Sequence, residues 1–280
     1  MEDCLEKSNG VLGAICGDII GSCYEWHPVE NKDFELFTDR SSFTDDTVMT
    51  LALAKYACHD VKYPNHSIAR TYREVGSWFP NRGYGHRFHR WLINPAMPAV
   101  DSCGNGSAMR VSPAAYVSDQ YHTVLEAARQ SAVVSHNHPE GIKGAQAVAM
   151  AILMARTGCS KERIKSYIEQ NFHYDLSRSL AEIGKTYKFE GSCQKSVPES
   201  IICWLEADTY EEAVRNAVSL RGDADTMACI AGSIAAATPG MEIPDYIKEK
   251  CFSLLHQDLK DIYRKWYKAY IIDEQRSTTV

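Results

Sequence analysis

Met227-Ala228-Cys229-Ile230-Ala231-Gly232-Ser233-Ile234-Ala235-Ala236-Ala237 is apolar or small at nearly every position, and Val48-Met49-Thr50-Leu51-Ala52-Leu53-Ala54-Lys55-Tyr56-Ala57-Cys58 is almost the same. Ala, Leu and Met are good helix formers. A helix that is apolar all round must be buried on every side, so both segments are expected in the middle of one core. Outward from them, apolar residues recur at three- and four-residue spacing over Asp45 to Cys58, Tyr121 to Ser135, Gly141 to Arg156, Tyr210 to Ser219 and Thr226 to Thr238. Period-two alternation is scarce, and the expected fold class is an all-α globular bundle. The breakers Pro64, Pro80, Pro95, Pro98, Pro113, Pro139, Pro198 and Pro239 are evenly spread, and no Gly/Ser-rich or charged linker divides the chain. Residues 1–280 are therefore read as a single domain, with a core over about 10–272 and a frayed polar tail, EQRSTTV.

The 280 residues are 45% hydrophobic, enough for a sizeable core. A net charge of -6 argues against a surface built for duplex phosphates, so nucleic acid is not an expected partner. The N-terminus MEDCLEKSNG lacks the basic and apolar regions of a secretory signal, and no apolar run reaches the length of a membrane span. Ten cysteines, at 4, 16, 23, 58, 103, 159, 193, 203, 229 and 251, include no C-x-x-C pair. They read as reduced thiols of a cytoplasmic protein, expected to be a monomer.

Chemistry concentrates just before the two buried helices. Thr44-Asp45-Asp46-Thr47 precedes the first and Asp223-Ala224-Asp225-Thr226 the second. Either alone suits an N-cap, where acids meet the positive end of the helix. Together they bring four carboxylates toward the interior, and buried carboxylates need cations. The nearby basic residues are too few, so hard divalent ions bound through oxygen are the expected solution. Thr44, Asp45, Asp46, Asp223, Asp225 and Thr226 supply six donors for a shared two-metal site, in which Asp225 could bridge. An all-oxygen set favours magnesium or manganese over zinc.

Three other stretches bear on a ligand. Gly13-Ala14-Ile15-Cys16-Gly17-Asp18-Ile19-Ile20-Gly21 reads as a closely packed helix with glycines on one side, and Glu25 follows where that pattern stops. Ser102-Cys103-Gly104-Asn105-Gly106 places glycines around an asparagine, a turn on which backbone N–H groups could meet a diphosphate. His136 and His138, like His86 and His89, have ligand-like spacing but no third partner, which favours polar contacts over a metal.

The segments GAICGDIIGSCYE, FTDDTVMTLALA, GNGSAMRVSP, SHNHPEGIKGAQAVAMAI, SVPESIICWLEA and SLRGDADTMACIAG together resemble the ADP-ribosylglycohydrolase family, from about Gly10 to Pro244. The resemblance implies an orthogonal all-α fold with two magnesium ions on the six donors above. It implies that Glu25 stands near the scissile bond, that Gly104, Asn105 and Gly106 form a diphosphate loop, and that His136 lies near the adenosine ribose. Cys103 departs from relatives that carry an aromatic residue against adenine, and Arg221 replaces a glycine of many members.

The implied reaction is hydrolysis at the anomeric carbon of the ribose distal to adenine, freeing ADP-ribose from a protein side chain or other conjugate, with Glu25, Asp46 and Asp225 as catalytic residues. GSCYEW resembles the loop of members acting on O-linked, especially serine-linked, ADP-ribose. An arginine-linked substrate would call for further acids, for which Glu30, Asp33 and Glu35 are the neighbouring candidates. Two alternatives stand beside this reading: a two-metal pyrophosphohydrolase of ADP-ribose-like nucleotides, which would yield AMP, and a catalytically silent binding or structural member.

Overall fold

The computed structural model describes residue 7 and residues 9–58 and 67–272. Cys4, Pro64 and the EQRSTTV tail lie outside the described residues. Fourteen α-helices and no strand occur among the described residues: α1 (Gly10–Gly21), α2 (Asp45–Ala57), α3 (Ile68–Trp78), α4 (His86–Ile93), α5 (Gly106–Met109), α6 (Tyr121–Val133), α7 (Pro139–Arg156), α8 (Lys161–Phe172), α9 (Leu180–Ile183), α10 (Cys193–Leu205), α11 (Tyr210–Ser219), α12 (Ala224–Ala237), α13 (Asp245–Leu254) and α14 (Gln257–Tyr267).

The centre is α1 against α12, both buried along their whole length. Their backbones nearly touch because of a seam of glycines on α1. A Cβ on Gly13 would lie 2.3 Å from the Gly232 carbonyl oxygen, and one on Gly17 2.1 Å from that of Ala228. Around this pair, α2, α7, α10, α11 and α13 pack as a second shell. The outer helices are amphipathic: α14 buries Leu259, Ile262, Tyr263, Trp266 and Tyr267 on one face, a three- and four-residue repeat.

The helices expected from periodicity are all present, with ends shifted by at most two residues and Tyr210–Ser219 unchanged. Two prolines act differently from the breakers expected. Pro139 opens α7 at its first position, where a missing N–H costs nothing and the fixed φ suits a helix, while His138 Nδ1 caps the Glu140 N–H at 3.1 Å. Pro198 lies inside α10. The carbonyl it leaves without a helical donor is that of Gln194, an exposed residue in the first turn, where solvent can reach it.

Candidate active site

Three helix ends meet in one cleft. The start of α2 brings Asp45 and Asp46, with the N-cap Thr44 just behind them, the start of α12 brings Asp223, Asp225 and Thr226, and the turn after α1 brings Glu25. The cleft holds about 550 Å³, the size of a small-molecule site. Ligand oxygens of Glu25, Asp223 and Asp225 lie within 4.8 Å of one another. The Asp46 Oδ2 lies 3.4 Å from the hydroxyls of both Thr44 and Thr226, so the two sequence clusters converge across 180 residues.

A sixth carboxylate joins from α1. Asp18, fully buried, accepts from the Thr44 N–H (3.0 Å), the Thr44 hydroxyl (2.7 Å), the Thr47 N–H (3.1 Å) and the Thr47 hydroxyl. It caps α2 from another helix and fixes the turn that aims Asp45 and Asp46 into the cleft. In the sequence Asp18 is one polar residue in an apolar helix. The only signal was that an acid there cannot avoid burial and so needs several donors.

No Lys or Arg among the described residues pairs with any of these six acids. Burial first, and then the charge of Asp225, push Asp18 up to about 7 and Glu25 up to about 8, and hold Asp45, Asp46 and Asp223 well above the ordinary carboxylate range. The buried Asp46 Oδ1 has no hydrogen-bond partner. An all-oxygen cluster with an orphaned acceptor and uncompensated charge is chemically suited to hard divalent cations.

That chemistry predicts a pH-dependent response. Groups whose folded pKa is raised keep protons that the unfolded chain has already lost, so their favourable contribution is present below about pH 4 and is lost as pH rises through about 7 to 8. In chelator the Tm should fall between about pH 5 and pH 8, and added Mg²⁺ should raise it more at the upper end, because a ligand of the native state stabilises by mass action. Scanning calorimetry checks this. A Tm indifferent to Mg²⁺ at every pH would remove the metal from the site.

The rest of the cleft is lined by Ser102, Gly104, Asn105, Gly106, Arg110 and His136, with the Phe88 ring beside His136 (centroids 5.8 Å apart), and by Tyr84, Trp26 and Phe189. The glycine turn differs from the expected cradle. The Asn105 N–H donates to the Gly191 carbonyl (2.9 Å) and the Gly104 N–H to the Ser102 hydroxyl (3.2 Å), so two of the turn's amides are spent within the protein. The Asn105 side chain donates to Asp223 Oδ2 at 2.8 Å and ties the turn to the acidic cluster. Cys103 does not line the cleft: its carbonyl accepts from the Cys193 N–H at 2.9 Å, which turns this residue away. Thr44 is likewise off the cleft wall, its hydroxyl engaged with Asp18.

Sequence reasoning also missed the aromatic side chains. Trp26 is 72% exposed and stacks on Phe189 with centroids 5.6 Å apart, bridging the rim beside Glu25. Of the extra acids considered near Glu25, Glu30 pairs with Arg221 at 2.8 Å, and neither Asp33 nor Glu35 lines the cleft. Arg221 adopts φ +62, the left-handed conformation that a glycine takes without strain.

Residues 6–275 match the family model described as ADP-ribosylglycohydrolase. The chain is 26% identical to "ADP-ribosylhydrolase ARH3" of Mus musculus, covering 88% of each protein. It is 24% identical to "ADP-ribosylarginine hydrolase Tri1" of Pseudomonas putida (strain GB-1), over 90% of this chain and 76% of that one. A solved structure titled "ADP-ribosylglycohydrolase-related protein complex" superposes with a TM-score of 0.67 at 21% identity, covering 95% of this chain and 99% of that one, a likeness of fold.

Proposed function

Given that the chain belongs to the ADP-ribosylglycohydrolase family, we propose that it removes ADP-ribose from modified protein side chains by attack of water at the anomeric carbon of the distal ribose. The observation that carries this reading is the convergence of five carboxylates, with Asp18 buried behind them and no basic partner among the described residues, in one cleft of about 550 Å³. In it, Asp45, Asp46, Asp223, Asp225 and Thr226, with Thr44 set back against Asp18, would hold two magnesium or manganese ions. Such ions supply positive charge that grips ribose hydroxyls and makes a nearby water more acidic.

The chain's own residues then divide the work. Asp18 fixes the turn carrying Thr44 to Asp46, and Asn105 fixes Asp223. The Gly104–Gly106 turn, Ser102 and His136 hold the nucleotide, which leaves the distal ribose over the acids. Glu25 is the half-buried carboxylate next to the exposed rim, placed to exchange a proton with the leaving group or the water. With Glu30 engaged by Arg221 and no further acid of this loop in the cleft, a guanidinium leaving group lacks its usual carboxylate fork, which favours O-linked, in particular serine-linked, ADP-ribose. The described cysteines are free thiols, which suits a reducing cytoplasm, and the whole chain is taken to act as one domain and as a monomer. No helix among the described residues is long and apolar enough to cross a membrane.

The test is release of free ADP-ribose from matched serine-linked and arginine-linked peptides, with and without Mg²⁺. The expected result is Mg²⁺-dependent release with higher kcat/KM on the serine-linked peptide. Glu25→Gln should slow it by about a hundredfold or more while ADP-ribose still binds. Preference for the arginine-linked peptide would refute the linkage, AMP as product would point to pyrophosphate cleavage, and no release from either would refute the hydrolase.

A further inference from the structure

His136 is 5% exposed, and its ring is fixed from behind by a chain of hydrogen bonds that begins at a buried cation. Arg110 is fully buried, with its guanidinium 4.4 Å from the centre of the Tyr72 ring and 5.4 Å from that of Phe88. Its Nη2 donates to the Ser131 carbonyl at 2.9 Å and to the Ser135 hydroxyl at 2.7 Å. The Ser135 hydroxyl is in turn 2.9 Å from His136 Nδ1.

The direction of the last bond follows from the first. A guanidinium only donates, so Ser135 Oγ accepts from Arg110 and is polarised to donate its own proton onward. The only acceptor for that proton among the described contacts is Nδ1. If Nδ1 carried the proton instead, two donors would face Ser135 Oγ and its hydroxyl hydrogen would be buried without a partner, which is costly. Burial and the Arg110 charge hold His136 well below its ordinary pKa, so the ring is neutral and has one proton to place. Nε2 is the other nitrogen. A Cβ built on Gly106 would lie 3.1 Å from it and one on Gly104 3.6 Å, so it stands over the glycine turn. It has no hydrogen-bond partner among the described residues, although His136 lines the cleft.

We propose that Arg110 and Ser135 are positioning residues that lock His136 in the tautomer protonated at Nε2, so that it presents a neutral N–H donor to an acceptor oxygen of the nucleotide bound over the Gly104–Gly106 turn. This deepens the reading of the cleft as an ADP-ribose site and rests on it. A neutral donor recognises phosphate or ribose oxygen without adding fixed charge beside the acidic cluster. Arg110, fully buried although it borders the cleft, acts on the ring through the Ser135 hydroxyl and through its charge.

The experiment is two-bond ¹H–¹⁵N NMR on ¹⁵N-histidine-labelled full-length protein without nucleotide, with the His136 signals identified by their loss in His136→Gln. The wild type should show a neutral ring protonated at Nε2. Ser135→Ala should shift the ring toward the Nδ1-protonated form and weaken ADP-ribose binding by about tenfold in calorimetry, the scale of one neutral hydrogen bond. Ser135→Thr, which keeps the hydroxyl, should restore both. A wild-type ring protonated at Nδ1 would overturn the proposal, as would Ser135→Ala with unchanged affinity and tautomer. Failure of the wild type to bind ADP-ribose would overturn this proposal and the functional reading together. Binding and tautomer effects in a protein that releases no ADP-ribose would overturn the reaction alone and leave the positioning role standing.

Discussion

Asp225→Asn is expected to lower kcat by on the order of a thousandfold at saturating Mg²⁺, while far-UV circular dichroism should stay that of the wild type. Asp225 is the largest charge acting on Asp18, Glu25, Asp45, Asp46 and Asp223, second in each case only to burial itself. It sits in the first turn of α12, with its Oδ1 accepting the N–H of Thr226 at 2.9 Å. The amide keeps the size of the side chain and the helix cap but removes the charge that the other carboxylates and any cations feel. Two effects of opposite sign follow. The metal-free protein loses repulsion, so its Tm in chelator should hold or rise, whereas the gain in Tm on adding Mg²⁺ should shrink. Asp46→Asn should cost activity on the same scale, with the relief of repulsion offset because it buries an amide where one Asp46 oxygen already lacks a partner. Near-normal turnover in either variant, with the fold intact, would reduce these acids to helix caps.

How much of this was legible in the chain differs from element to element. The all-α class is written in local periodicity, and of the two segments read as apolar all round Met227–Ala237 does occupy the centre, whereas Val48–Cys58 packs in the shell around it with Lys55 to Cys58 partly exposed. The two acid-and-threonine clusters were legible because each opens such a helix, so their proximity followed from burial and charge alone. Asp18 was not, because its partners Thr44 and Thr47 are twenty-six and twenty-nine residues away and only the crossing of α1 and α2 brings them together. The glycine turn was legible as a turn but not in its wiring: Gly191, which takes the Asn105 N–H, comes from the loop before α10. The same holds for the cleft aromatics. Trp26 and Phe189 are exposed residues in separate loops, and nothing local distinguishes them from ordinary surface side chains. Cys103 shows the limit of position-by-position transfer, since its backbone is drawn toward Cys193 and its side chain leaves the cleft wall.

The glycine seam joins fold to site, and it gives the second large effect expected. Gly17→Ala places a methyl group 2.1 Å from the Ala228 carbonyl oxygen and 2.5 Å from its carbon. These are backbone atoms of a helix buried on all sides, so no side chain can swing away, and α1 and α12 must separate. Overpacking of this kind costs about 3 kcal/mol or more. For a chain of this length that lowers Tm by roughly 5 °C or more. Gly85→Ala is the control: no atom lies within 4 Å of its Cβ, and its Tm should stay within about a degree. Asp18 and Glu25 are carried by α1 and the turn after it, and Asp223 and Asp225 by the start of α12. Parting the helices therefore pulls the acids apart as well. Gly17→Ala should accordingly lose most of its Mg²⁺-induced gain in Tm even at temperatures where circular dichroism shows it folded. A variant that melts at the wild-type temperature would mean that the seam yields without cost. One that melts early but keeps its full response to Mg²⁺ would mean that the acids are held by their local caps, Asp18 above all, and not by the contact between the two central helices.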